Sequence, residues 1–305
     1  MTPVVGIEIA DAALARSVGP EFAAVPRLLD AAGIGYVVLG ADRATGTAES
    51  LSPALAGTLF ARHSHGLGIV AAASPQRDHP YNIARRLGSL DHLTHGRAGW
   101  LALREDRATT LGQGHGSWTD RPVDAAGVAD AVTAVRALWR TWPIETLTRA
   151  DDSVVRYADH TGEYPTTGPL NVPTTPQGEP VVWWRYERGD DPARVAVADV
   201  VLVDPDDLDA ELPAAVHRHV RLEASDLAPR TGNPLAELPD IHGVAIRVDL
   251  PALPDFLDRT LPALADAGLL RLRPSDETRT LRAHLGIDRR KEPDLSRHRP
   301  VFAAS

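Results

Sequence analysis

Glu8, Asp42, Ser74, Arg104, Glu105, Arg185 and Asp204 each stand at or just past the end of a short apolar run. Such positions leave a buried strand and face whatever occupies the space beyond it. As a set they offer carboxylates for proton transfer, one hydroxyl, and guanidinium forks that match a phosphate or carboxylate. Glu8, Asp42 and Glu105 can be read as a hydrolytic carboxylate pair, although rim charges and helix caps are the simpler account. Two histidine pairs, His63-x-His65 and His217-x-His219, invite a metal reading. The first precedes an apolar run and so falls at the opposite end from the carboxylates. The second, if helical, points its rings apart, because residues two apart on a helix do not face each other. Neither has a carboxylate placed beside it, so no metal site is expected. No nucleophile elbow or phosphate-binding P-loop is present, and Gly112-Gln113-Gly114-His115-Gly116 does not open a helix as a phosphate cradle would.

These residues need a frame that brings strand ends together. Apolar runs at 4–10, 35–40, 66–73, 97–103, 180–185, 199–203 and 243–250, with a weaker one at 220–224, are candidate strands. Between them, 21–32, 50–61, 80–93, 124–139 and 253–267 carry apolar residues at helical spacing. Alternation of this kind predicts a parallel sheet, and the number of strands with the chain length favours a closed (β/α)8 barrel. The fifth and seventh connections are too short for a full helix, so outer helices are expected to be shortened or missing there. Residues 157–178 form a long Gly/Pro/Thr arm without periodicity, suited to a structural role such as crossing a dimer partner. Residues 1–288 are read as one barrel domain and 289–305 as a polar tail, expected to be poorly ordered.

Composition narrows the function. The chain of 305 residues is 43% hydrophobic, enough for one large core. It has no apolar run of eighteen or more residues and no basic-then-apolar leader, so neither a membrane span nor a secretory signal is expected. Cys is absent, which removes disulfides and thiolate chemistry. A net charge of −9 disfavours nucleic acid and anionic membranes as partners. A cytoplasmic protein acting on a small molecule is the expectation.

One stretch is specific enough to carry a resemblance. Residues 80–100, PYNIARRLGSLDHLTHGRAGW, follow the pattern PY-x-x-AR-x-x-x-x-LD-x-x-S/T-x-GR-x-x-W. Residues 137–142 (ALWRTW), 160–164 (HTGEY), 168–173 (GPLNVP), 176–180 (PQGEP) and 280–287 (TLRAHLGI) add further matches in the same order. The chain thereby resembles the luciferase-like flavin-dependent monooxygenases, in the branch of the nitrilotriacetate, pristinamycin and dibenzothiophene-sulfone enzymes. It is shorter than those enzymes, with the loss around the sixth to eighth repeats.

The resemblance implies a barrel of the bacterial luciferase type. It also implies a monooxygenase that uses O2 and reduced FMN from a separate flavin reductase to oxidise a small organic substrate. A homodimer, or a heteromer with another family member, is the implied assembly. Asp42 and Ser74 stand at family flavin contacts. Elsewhere the family pattern is replaced: Ala72, Leu101, Arg104, Asp124 and Ala125 occupy other contact positions, and the phosphate loop after the fifth strand reads Trp183-Trp184-Arg185-Tyr186-Glu187-Arg188-Gly189. Either Arg104, Arg185 and Arg188 supply the missing phosphate donors and a flavin (FMN or the related deazaflavin) binds a rebuilt site, or the chain is a cofactor-free paralogue serving as a partner subunit or binding protein. No residue can be assigned a catalytic role from the sequence.

Overall fold

All eight apolar runs become strands, and the strands close on themselves. The computed structural model describes residues 2–16, 19–45, 49–107, 109–110, 123–149, 154–227, 234–238, 241–274, 279–290 and 295–302. The barrel strands are β1 (Val4–Ile9), β2 (Tyr36–Leu39), β3 (Gly68–Ala73), β4 (Ala98–Ala102), β5 (Val181–Arg185), β6 (Val200–Val203), β7 (His217–Glu223) and β8 (Gly243–Arg247). Each pairs in parallel with the next, and β8 returns to β1 with Val4 opposite Gly243 and Glu8 opposite Arg247. The expected (β/α)8 barrel is therefore observed. Both faces of each strand are covered, which is why most of them read as unbroken apolar runs rather than alternating ones. Helices α1 (Ala24–Ala31), α2 (Pro53–Arg62), α3 (Pro80–Leu93) and α4 (Ala125–Trp139) follow the first four strands.

The motif stretch is almost wholly architectural. Pro80 starts α3, where its missing N–H costs nothing, and the His79 ring accepts the Tyr81 N–H at 3.2 Å. Ile83, Ala84, Leu87 and Leu90 face the core, whereas Leu93 turns out to solvent. Trp139 of α4 donates its indole N–H to the Ala84 carbonyl at 2.9 Å, fixing α4 against α3. The buried Asp91 accepts the Ala98 N–H (2.9 Å) and the Gln177 amide (2.6 Å), tying the helix end to β4 and to the arm. Gly96, at φ +89°, turns the chain where a side chain would be strained. Arg97 then spans to the carbonyls of Thr94 (2.8 Å) and Leu67 (2.6 Å).

Two features differ from the sequence expectation, and a third, the arm, takes the structural role expected of it. Full helices are missing after β5, β6 and, among the described residues, β7. Only Pro192–Val195, the turn Pro205–Asp207, and the short pieces Ala224–Leu227 and Pro234–Glu237 fill those places, so the sixth connection is as bare as the fifth and seventh. The arm is held by its own chain: Leu170 N–H donates to the Thr141 hydroxyl (2.9 Å), and the Thr174 hydroxyl to the Trp139 carbonyl (2.9 Å). The tail also packs, with Tyr157 N–H on the Arg299 carbonyl (3.0 Å) and Val301 N–H on that of Val155 (3.1 Å). Residues 112–116, the glycine-rich loop, lie outside the described residues.

Candidate active site at the barrel mouth

The carboxyl ends of the strands converge on a polar network that begins inside the barrel. Glu8, buried on β1, accepts two bonds from Arg221 of β7, at 2.7 and 2.6 Å. Arg221 lies 3.8 Å from Asp204, just past β6, and Asp204 accepts from Arg185 of β5 at 2.5 Å. Four strands are thus linked by alternating charge. Burial lowers the Arg221 pKa, but bonding to Glu8 and the nearby carboxylates outweigh it and hold the guanidinium charged. The hydrolytic pair considered for Glu8, Asp42 and Glu105 is not assembled: Glu8 is locked to Arg221, and Glu105 pairs with Arg107 at 2.8 Å.

Above this network lies a cavity of about 480 Å³, lined by Leu103, Arg104, Glu105, Val123 and Arg185 among others. Arg104 bonds Glu187 (2.8 Å) and Asp190, both in the loop after β5. Ser74 donates to the Arg104 carbonyl at 3.0 Å and accepts from Gln76 N–H, so it positions that arginine's backbone. Asp42 follows β2 at the same end of the barrel as Ser74 after β3. Ser74 itself lines a neighbouring cavity of about 400 Å³, with Arg43, Arg77 and Asp106. Arg188 is mostly exposed and pairs with Asp207 at 2.8 Å, outside the lining of both cavities. Of the five residues that the sequence nominates for the cofactor, Arg104 and Arg185 share one cavity, Ser74 lines the neighbouring one, and Asp42 and Arg188 line neither.

The floor beneath the mouth is aromatic. Trp183 points inward against Tyr36 (ring centroids 4.7 Å) and His219 (4.8 Å). Trp184, its neighbour, points outward and donates to Asp190 at 2.8 Å, as the alternation of a strand requires. Glycines on adjacent strands make room for these rings: a Cβ at Gly6 would overlap Tyr36, and one at Gly243 would overlap His219. One expectation is corrected here. His217 and His219 lie on a strand, not a helix, so residues two apart share a face. His219 bonds the Tyr36 hydroxyl at 2.8 Å, and His217 stacks on His242 with centroids 4.2 Å apart. Among the described residues no group of three or more His, Cys, Asp or Glu is arranged to hold a metal.

That histidine stack has a measurable consequence. Burial, and then the neighbouring His242, lower the His217 pKa to about 4, against a weaker opposing pull from Asp199. The unfolded chain binds a proton near pH 6.5 that the folded one refuses until about pH 4. Stability is therefore expected to fall as pH drops through that window. Asp91, raised by burial to about 6, acts in the opposite sense over part of it. Comparing unfolding free energies of the wild type and His217→Gln from pH 7 to 4.5 isolates the histidine: the wild type is expected to lose more on acidification. Parallel curves would contradict the assignment.

Comparison with known proteins places this geometry. No family model matches the chain. The chain is 32% identical over 276 residues to one of the subunits of pristinamycin IIA synthase from Streptomyces pristinaespiralis, covering 86% of this chain and 87% of that protein. It is 34% identical over 146 residues to dibenzothiophene-sulfone monooxygenase of Rhodococcus erythropolis, a match spanning 44% of this chain but only 32% of that enzyme. Among solved structures, riboflavin lyase with modified FMN and its substrate riboflavin superposes over 95% of this chain and 97% of that one, with TM-score 0.71 and 16% identity, a likeness of fold. The chain belongs to the luciferase-like flavin-dependent monooxygenases, and so by family to the oxidoreductases. Flavin is the cofactor of that family.

Two arginines at the mouth carry donors of a kind that suits an anionic cofactor. Arg104 Nε and Arg185 Nη1 are buried N–H groups without an acceptor among the described residues, and both arginines line the cavity. An unmet buried donor is costly, and an anionic oxygen would satisfy both. The carboxylate partners of these arginines, Glu187, Asp190 and Asp204, and the further arginine Arg221 that joins Asp204 to Glu8, are hidden in the sequence. Arg221 sits in the weak strand, and its only signal is an inward-facing charge opposite Glu8.

Proposed function

We propose that the mouth binds reduced FMN and that the chain works as a monooxygenase component on a small organic substrate. O2 and a separate flavin reductase complete the reaction, in the cytoplasm. The observation that carries this reading is that two arginines, each with a buried unmet donor, line one cavity at the carboxyl ends of a luciferase-type barrel. Arg104 and Arg185 hold the phosphate, and Arg188 adds charge from the rim. Ser74 fixes Arg104 from behind. Asp42 contributes from the end of β2 at the same end of the barrel, and the apolar Leu103 and Val123 of the cavity shield the ring from water. When bound, the reduced flavin activates O2 and supplies one oxygen atom to the substrate. The protein's part is to hold the cofactor, orient the substrate and exclude solvent.

Arg185→Ala tests the phosphate role. Loss of a charge-assisted pair is expected to weaken FMN by about 10- to 100-fold while riboflavin, which has no phosphate, changes little. Equal losses for the two would refute it.

A second reading has its own observation. The carboxylates Glu8, Glu187, Asp190, Asp204 and Asp207 already engage Arg221, Arg104, Arg185 and Arg188, leaving five anions to four cations. A mouth whose arginines are already paired from within suits a chain that supports a catalytic partner, and the pristinamycin relative, which matches most of this chain, is itself one subunit of a synthase. Copurification with a full-length family member, together with absent flavin binding, would favour it.

A further inference from the structure

A third cavity, of about 290 Å³, opens at the other end of the barrel, between the end of α4, the arm and the tail. Its charged lining is Arg140, Arg156 and Arg290 with the carboxylates Glu179 and the exposed Glu145, and Pro143, Ile144 and Leu295 give it an apolar wall. Behind it lies a buried charge cluster. Arg136 bonds Glu179 and, at 2.8 Å, Asp199; Arg282 reaches Asp199 at 3.1 Å. These four groups are buried and balance one another. Arg140 joins the same Glu179, and Arg290 the same Asp199 at 3.0 Å. Among the described residues, four guanidiniums therefore share two carboxylates. The two in excess are the cluster's two arginines that line the cavity, where Glu179 also reaches it, and with Arg156 the lining holds three guanidiniums to two carboxylates.

We propose that this cavity is a binding site for an organic carboxylate with an apolar body. The excess guanidiniums take the carboxylate, for which their planar forks are matched, and the Pro143, Ile144 and Leu295 wall takes the hydrocarbon. The site is remote from the mouth: Glu179 and Asp199 immediately precede β5 and β6, at the strands' amino ends.

The test is calorimetric titration of the full chain with octanoate, octan-1-ol and sulfate. Octanoate is expected to bind tighter than about millimolar, and tighter than either control. Arg290→Gln should weaken it about tenfold or more, and Arg156→Gln, a second variant outside the buried cluster, should do likewise. Arg185→Gln at the mouth should leave octanoate unchanged. Octanol or sulfate binding as well as octanoate, indifference to both variants, sensitivity to Arg185→Gln, or no binding at millimolar octanoate would each overturn the proposal.

Discussion

Asp199→Asn is expected to destabilise the fold by about 3–5 kcal/mol, lowering the melting temperature by roughly 10 °C for a chain of this size. Asp199 is the one carboxylate that meets Arg136 (2.8 Å), Arg282 (3.1 Å) and Arg290 (3.0 Å), and it also accepts the Val182 N–H at 2.9 Å. Asparagine keeps the shape but removes the charge and turns an amide donor toward guanidiniums. Burial alone would push this carboxyl up, yet the three arginines together hold it well below the usual carboxylate range. A group with a depressed folded pKa stabilises above its unfolded value and loses that contribution as pH falls below it. The gap between wild type and variant should therefore be full at pH 7 and shrink below about pH 4. Thermal or urea unfolding at several pH values measures it. A shift of only a degree or two at pH 7 would show that the cluster is not holding the barrel's lower face.

Trp183→Ala should cost a similar amount, about 3–5 kcal/mol, for a different reason. The indole is fully buried in the barrel, in contact with Tyr36 and His219, and the surrounding strands cannot collapse into the space it leaves. Trp183→Phe, which refills most of the volume, should lose distinctly less. The contrast separates packing from charge, because neither change touches an ion pair. Chemical denaturation with fluorescence reports both variants. Equal stability of the alanine variant and the wild type would mean that the floor beneath the mouth is not a packed layer.

What is legible in the sequence depends on what each residue faces. β1 to β6 and β8 stand out because both their faces are apolar. β7 reads His-Arg-His-Val-Arg-Leu-Glu, with charge or imidazole pointing inward, and so looks like a weak strand or a helix. A helical reading of it separates His217 from His219 and hides Arg221, whose partner Glu8 is 213 residues away. The arginines after β4 and β5 are visible only as isolated side chains. That their carboxylate partners come from the β5–β6 and β6–β7 loops depends on closure of the barrel, which no local pattern encodes. The adjacent Trp183 and Trp184 suggest a doubly plugged mouth, but strand alternation sends only one of them inward. The order of the arm and tail is hard to foresee because their anchors are single hydrogen bonds involving Thr141, Thr174 and Arg299, without periodicity to mark them.

The barrel mouth stands or falls as a cofactor site on one titration. Under anaerobic conditions the purified chain should bind reduced FMN saturably, with a Kd tighter than about millimolar, and bind reduced riboflavin distinctly less well. No saturable binding of reduced FMN at millimolar concentration would contradict the account and leave this chain as the flavin-free partner of another family member.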